Sequence, residues 1–156
     1  MKTWRLDDGR QTIVLASTRE LLPEVVDWGK VLPQNENLTT LHAAHAIDIT
    51  GGMLDENPDL SLCPESSRTF PGQPGLILRS QDGPPLLPKF HFASAEYDKD
   101  MLLKDRDAEN GLTLIFEFKT IAETYIISAK TILQADTPVH LHWLAAPVMP
   151  APQLSN

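Results

Sequence analysis

The thirteen residues Cys63-Pro64-Glu65-Ser66-Ser67-Arg68-Thr69-Phe70-Pro71-Gly72-Gln73-Pro74-Gly75 contain three prolines and two glycines. Each proline fixes its φ angle and removes a backbone donor, and glycine admits turns that other residues resist. Neither a helix nor a central strand can run through such a segment. It reads as a rigid loop carrying one charge pair (Glu65 and Arg68) and one aromatic anchor, Phe70. It leads directly into an apolar strand from Gly75 to Arg79.

The rest of the chain is punctuated in the same way. Thirteen prolines against eight glycines in 156 residues favour fixed turns over long helices. Trp4–Asp7 and Gln11–Ser17 flank Asp8-Gly9, a dipeptide that closes tight hairpins. Glu20–Glu24 is a proline-broken turn and Val25–Gly29 a third strand, with Trp28 either packed in the core or stacking on a ligand. From Leu32 to Leu62 strand periodicity is lost. A short helix is predicted over Leu38–Ile47, and an irregular stretch of this length inside a compact domain is more often functional than decorative. Gln81–Pro85 is a turn, Lys89–Tyr97 a strand with Phe90 and Phe92 on one face, and Met101–Arg106 a short arm before the turn Asp107–Gly111. The clearest strand follows: Leu112, Leu114, Phe116 and Phe118 face one way, and Thr113, Ile115, Glu117 and Lys119 the other. Tyr125–Leu133 is its predicted partner, and Val139–Leu144 comes after the turn Asp136-Thr137-Pro138. The pattern predicts a soluble all-β domain, an antiparallel β-sandwich.

Several function classes are disfavoured. One domain's length and a net charge of −8 suit neither nucleic acid nor an anionic membrane, both of which want a basic face. A single cysteine, Cys63, fits a reducing compartment. The N-terminus has no apolar signal core, and no apolar run approaches the roughly 20 residues of a membrane span, so the expected location is the cytoplasm. Phosphate-loop, Cys-x-x-Cys and nucleophile-elbow motifs are missing. His42 and His45, and His140 and His142, each form a pair without a third ligand at a supporting spacing, so no metal is expected. Asp105, Asp107, Glu109 and Asn110 invite a calcium reading. Counting from Asp105, however, Asn110 and Phe116 stand where the calcium loop needs glycine and glutamate, so the segment reads as a solvated hairpin tip. No catalytic residue is assigned.

Val26-Asp27-Trp28-Gly29-Lys30 resembles the aromatic-Trp-Gly-Lys strand in the N-terminal domain of glycoside hydrolase family 36 α-galactosidases (melibiases). The loop Pro64–Pro71 is similar to the one that follows in that family. Thr124–Lys130 through Leu141–Leu144 resembles a hairpin of the same domain. The resemblance implies a β-supersandwich of galactose mutarotase-like type, incomplete here: residues 1–156 as a partial N-terminal domain whose counterparts continue with further strands past Pro152. It also implies a parent enzyme that hydrolyses terminal α-galactosyl bonds of oligosaccharides, with retention and without a cofactor. The family's catalytic carboxylates lie in a (β/α)8 barrel, and a barrel needs about 250 residues, so it is absent here. No lysine of this chain starts the family's Lys-x-Asp nucleophile motif, and the chain alone is expected to be inactive.

The implied partners are that catalytic barrel, further copies in a homo-oligomer (a tetramer by resemblance), and the galactoside substrate. In some members the N-terminal domain lends loop residues to a neighbour's sugar pocket. The matching region, Leu32 to Phe70, offers Asp48, Asp55, Glu65 and Arg68 as substrate-binding candidates. Arg68 leads because its planar donor fork suits sugar hydroxyls; the alternative is a structural Glu65–Arg68 lock. A second reading, from another class, is a free-standing carbohydrate-binding or assembly module presenting Trp4, Trp28 or Trp143.

Overall fold

The computed structural model describes residues 1–45 and 60–150, which leaves Asp48, Asp55 and the end of the predicted helix outside the described residues. Among the described residues, nine strands form three antiparallel sheets. The first sheet is β1 (Lys2–Asp7), β2 (Gln11–Ser17) and β3 (Glu24–Lys30), in that order. Its first hairpin closes where expected: Gly9 takes φ 91°, and Asp8 Oδ1 accepts hydrogen bonds from the Arg10 and Gln11 amides at 2.9 Å. β2 is a nearly continuous apolar run because both of its faces are covered. Ile13 and Leu15 enter the main core. Val14 and Ala16 face Leu38 and Leu41 of the helix α1 (Leu38–His45). The helix is anchored on β3 by His42, whose Nε2 lies 2.9 Å from Glu24 Oε1.

The second sheet pairs β4 (Leu76–Ser80) with β9 (Val139–Leu144), and the third is β5 (His91–Tyr97), β6 (Met101–Asp107), β7 (Leu112–Ile121) and β8 (Ile126–Ala135). The alternation read in β7 holds, with Leu112, Leu114, Phe116 and Phe118 fully buried. The inner faces of all three sheets meet in one cluster that includes Leu6, Leu15, Leu78, Phe90, Leu103 and Phe116. The molecule is thus an all-β sandwich. No helix among the described residues is long and apolar enough to cross a membrane.

Three expectations are corrected. β8 and β9 follow each other in the chain but do not form a hairpin: β8 pairs with β7, and β9 pairs with β4. Asp136, Thr137 and the donorless Pro138 turn the chain out of one sheet into another, and the Asp136 amide bonds instead to Gly111 O at 2.9 Å. Tyr125 does not begin β8; it sits in the turn at φ 56°. The tip after β6 is not simply solvated. The side chains of β6 alternate, so Met101, Leu103, Asp105 and Asp107 all point inward and are buried.

Candidate functional site

The proline loop packs across the end of this core. Pro64 O accepts the Gly75 amide at 2.9 Å, Gly75 O accepts the Ala145 amide at 2.8 Å, and Leu62 O accepts the Val148 amide at 2.9 Å. The loop contains one short 3-10 turn, Ser66–Arg68, closed by Thr69 in the left-handed region at φ 63°. Tight turns of this kind bring side chains three residues apart into register. Glu65 and Arg68 meet here.

Three hydrogen bonds make their contact a clamp on Phe90. Glu65 Oε2 accepts from Arg68 Nε at 2.8 Å, and Glu65 Oε1 accepts from the Phe90 amide at 2.8 Å. Arg68 Nη2 in turn donates to Phe90 O at 2.8 Å. Both backbone polar groups of a buried residue are therefore satisfied by one ion pair. The Glu65 carboxylate is almost enclosed (6% exposed), whereas Arg68 is 30% exposed. Burial raises the Glu65 carboxyl, against the pull of the Phe90 amide and the Arg68 charge. This geometry is the structural lock that the sequence offered as the alternative role of the pair. Arg68→Ala is expected to lower stability by about 2 kcal/mol, because it strands a buried carboxylate oxygen and a carbonyl. Arg68→Lys should recover little of that, since an ammonium cannot span both acceptors. Urea titration of the three proteins measures it.

Beside the lock lies a groove of about 110 Å³, lined by Pro64, Ser67, Pro74, Ile77, Pro85 and Leu87 among others. Three further ionisable side chains are buried: Cys63, which lines the groove, Asp105 and Asp107. Cys63 is 2% exposed, and burial, with the charges of Glu65 and Asp105, pushes its thiol up to about 12. It is a packing residue and no thiolate nucleophile. Asp105 is fully buried, with neither carboxyl oxygen hydrogen-bonded among the described residues. Burial, and then the nearby Glu65 charge, pushes it up to about 8, so at neutral pH it is an uncharged acid. Asp107 behaves differently. Burial tends to raise it, but hydrogen bonds from Asn110 and from the Lys89 and Glu109 amides hold it below its ordinary value. The regular spacing Met101, Leu103, Asp105, Asp107 was the available signal for both carboxylates.

The remaining candidates are dispersed. Trp28 packs against the core and donates from Nε1 to Gln11 Oε1 at 2.9 Å. Trp4 stacks at 5.1 Å on Phe92. Trp143 is 47% exposed. A bulge separates the Ile77–Trp143 and Leu78–Leu141 pairs, and His140 and His142 are both exposed. Among the described residues no three His, Cys, Asp or Glu side chains gather as metal ligands.

No model of a known protein family matches the chain, and no curated protein matches it. Solved structures do. The GH36 α-galactosidase AgaB from Geobacillus stearothermophilus superposes with a TM-score of 0.67 at 15% identity, over 93% of this chain and 23% of that one. AgaA from the same organism gives a TM-score of 0.72 at 15% identity, over 93% and 24%. An AgaA variant in complex with raffinose gives 0.66 at 14% identity, over the same shares. The chain spans about a quarter of the length of these enzymes' chains. The likeness read from Val26–Lys30 and Pro64–Pro71 is therefore matched in three dimensions: nearly the whole chain has the fold of one part of GH36 α-galactosidases.

Proposed function

We propose that this chain is a non-catalytic N-terminal sandwich domain of a GH36-type, cytoplasmic α-galactosidase. The parent enzyme hydrolyses terminal α-galactosyl bonds of oligosaccharides, and the domain packs on its catalytic barrel and supports a homo-oligomer. The observation that carries this reading is the structural match: 93% of the chain falls on 23–24% of enzymes of that activity. A minor role at the rim of the sugar pocket rests with Arg68, Glu65, Asp48 and Asp55. Of these, Arg68 keeps a partly exposed guanidinium while holding the lock.

The free-standing carbohydrate-binding module is the second reading, favoured by the exposure of Trp143 alone, since Trp4 and Trp28 are packed. Hydrolysis of a chromogenic α-galactoside decides between them, measured for the 156-residue chain and for the polypeptide of its complete reading frame. Activity in the longer protein only upholds the domain reading. Activity in the short chain overturns it. Silence in both, with galactose perturbing tryptophan fluorescence, turns the assignment to the binding module. Where the longer protein is active, Arg68→Ala should raise KM there if the residue reaches substrate, and leave KM unchanged if it serves only as the lock.

A further inference from the structure

Asn110-Gly111 is the one Asn-Gly pair in the chain, and the hairpin between β6 and β7 turns on it. The pair suits the turn because glycine accepts the left-handed backbone, here at φ 65°. It also carries a chemical liability. Glycine has no side chain to shield its own peptide nitrogen, so that nitrogen can attack the preceding carboxamide. In this step a bond forms between Gly111 N and Asn110 Cγ, and the Cγ–Nδ2 bond breaks. Nδ2 departs as ammonia, taking up the proton that Gly111 N gives up. Water then opens the cyclic imide to an aspartyl or isoaspartyl residue, leaving a carboxylate in place of a neutral amide.

Both reacting groups are pinned. Asn110 Nδ2, the leaving group, donates to Asp107 Oδ2 at 2.7 Å, and the Asn110 amide donates to Asp107 Oδ1 at 3.2 Å. Asp107 is itself buried and fixed by the Lys89 and Glu109 amides at 3.0 Å. On the other side, Gly111 O accepts the Asp136 amide at 2.9 Å, and a methyl group on Gly111 would lie 3.1 Å from Asp136 Oδ2. Arg106 in turn holds the Asp136 carboxylate. Attack requires the face of the carboxamide to turn toward Gly111 N, a rotation that takes Nδ2 away from Asp107.

The same contact sets the consequence. Burial pushes the Asp107 carboxyl up, and the Asn110 side chain leads the hydrogen bonds that hold it below its ordinary value. A carboxylate at position 110 would remove that donor and face the buried Asp107 carboxylate instead, with the Asp136 carboxylate close to Gly111 on the other side. Two carboxylates in such contact cannot both stay ionised unless they separate.

We infer that Asn110 is a latent deamidation site built as a one-way latch: Asp107 keeps it shut in the folded turn, opening of the turn exposes it to Gly111, and the carboxylate then formed keeps the turn from closing again. The latch rests on the hairpin alone and is independent of any role in an α-galactosidase.

Peptide mass mapping of Asn110 during incubation at pH 8 and 37 °C tests it on the 156-residue chain. The folded wild type should deamidate at least about 10-fold more slowly than the same chain unfolded in urea, the factor that one hydrogen bond to a charged group supplies against local opening. Folded Asp107→Asn, which offers an amide where Oδ2 accepted Asn110 Nδ2, should lose most of that protection. Should Asp107→Asn fail to fold by circular dichroism, Asp107→Ser takes its place, since a hydroxyl still accepts from the turn amides but no longer reaches the carboxamide. The second half of the latch is read from Asn110→Asp, which carries the product's charge. Its unfolding constant at pH 8 should exceed that of wild type by about 10-fold, with the gap narrowing at pH 4.5 as carboxylates take up protons. Asn110→Ser loses the same hydrogen bond without adding charge and should fall between the two. Equal rates in folded and unfolded wild type overturn the inference, as does no deamidation in urea, full protection in the Asp107 variant, or an Asn110→Asp protein as stable as wild type at pH 8.

Discussion

Asp105→Asn is expected to flatten the pH dependence of stability between about pH 4 and pH 8, and to make the protein more stable than wild type at pH 9. In the folded state Asp105 keeps its proton up to about pH 8, while in the unfolded chain it loses it near its ordinary value of 3.8. Across that window the folded state binds one proton more than the unfolded state, so wild-type stability falls as pH rises, by at most about 1.4 kcal/mol per pH unit for this proton. Above the window the slope ends, and the folded state holds an ionised carboxylate with no hydrogen-bond partner among the described residues. Asparagine has the same shape and no charge to bury. It should match wild type within about 1 kcal/mol at pH 4.5 and exceed it by on the order of 3 kcal/mol at pH 9. A smaller residual slope of the same sign belongs to Glu65, whose carboxyl is also raised, first by burial. Asp105→Val removes the unpaired oxygens altogether and should be the more stable protein at every pH. Urea midpoints at pH 4.5, 7 and 9 measure all three. Parallel pH profiles for wild type and Asp105→Asn would refute this account.

That carboxylate also marks where the sequence stopped being legible. The strong alternation of β7, the Asp8-Gly9 hairpin, the short helix at Leu38 and the proline loop were all readable, because each is dictated by neighbours within a few residues. The inward register of β6 was harder to see, since its outer half carries two aspartates where a core strand would carry apolar groups. Asp107 is reconciled with burial by the Asn110 side chain and three backbone amides, a local cap. Asp105 is reconciled by keeping its proton, which no local pattern reveals. Sheet membership was the other blind spot. The pairing of β9 with β4 joins segments far apart in sequence, and the hairpin expected from the resemblance lost to it.

The candidate site divides along the same line. The Glu65–Arg68 pair was legible from its i, i+3 spacing in a rigid loop. Its purpose depends on Phe90, a residue that only the fold brings within reach. A charge pair that closes on a distant backbone amide and carbonyl acts first as a fastener, and what remains for a ligand is the exposed part of one guanidinium. This weighting explains why the proposed pocket-rim role is minor and why KM in the longer enzyme, rather than stability, is its proper test.

Gly75→Ala is expected to destabilise the protein by about 3 kcal/mol, the upper part of the range for overpacking a tight site. A methyl group at Gly75 would lie 2.6 Å from Cys63 Sγ, 2.9 Å from Cys63 Cα and 3.2 Å from its carbonyl carbon. A side-chain tip could swing aside, but backbone atoms held on both sides cannot. Pro64, next to Cys63, accepts the Gly75 amide, and Gly75 O in turn accepts the amide of Ala145. The close approach therefore ties the proline loop both to itself and to the segment leaving β9. The double variant Cys63→Ala with Gly75→Ala separates the two contacts: deleting the sulfur relieves the 2.6 Å clash and leaves the 2.9 Å one, so rescue should be partial. Gly29→Ala is the control. Nothing lies within 4 Å of a methyl group there, and the substitution should be neutral or stabilise by up to about 1 kcal/mol through the unfolded chain. Thermal or urea unfolding of the four proteins reads the difference. If Gly75→Ala is tolerated as well as Gly29→Ala, the loop yields where it is drawn as rigid, and the Glu65–Arg68 clamp cannot owe its geometry to it.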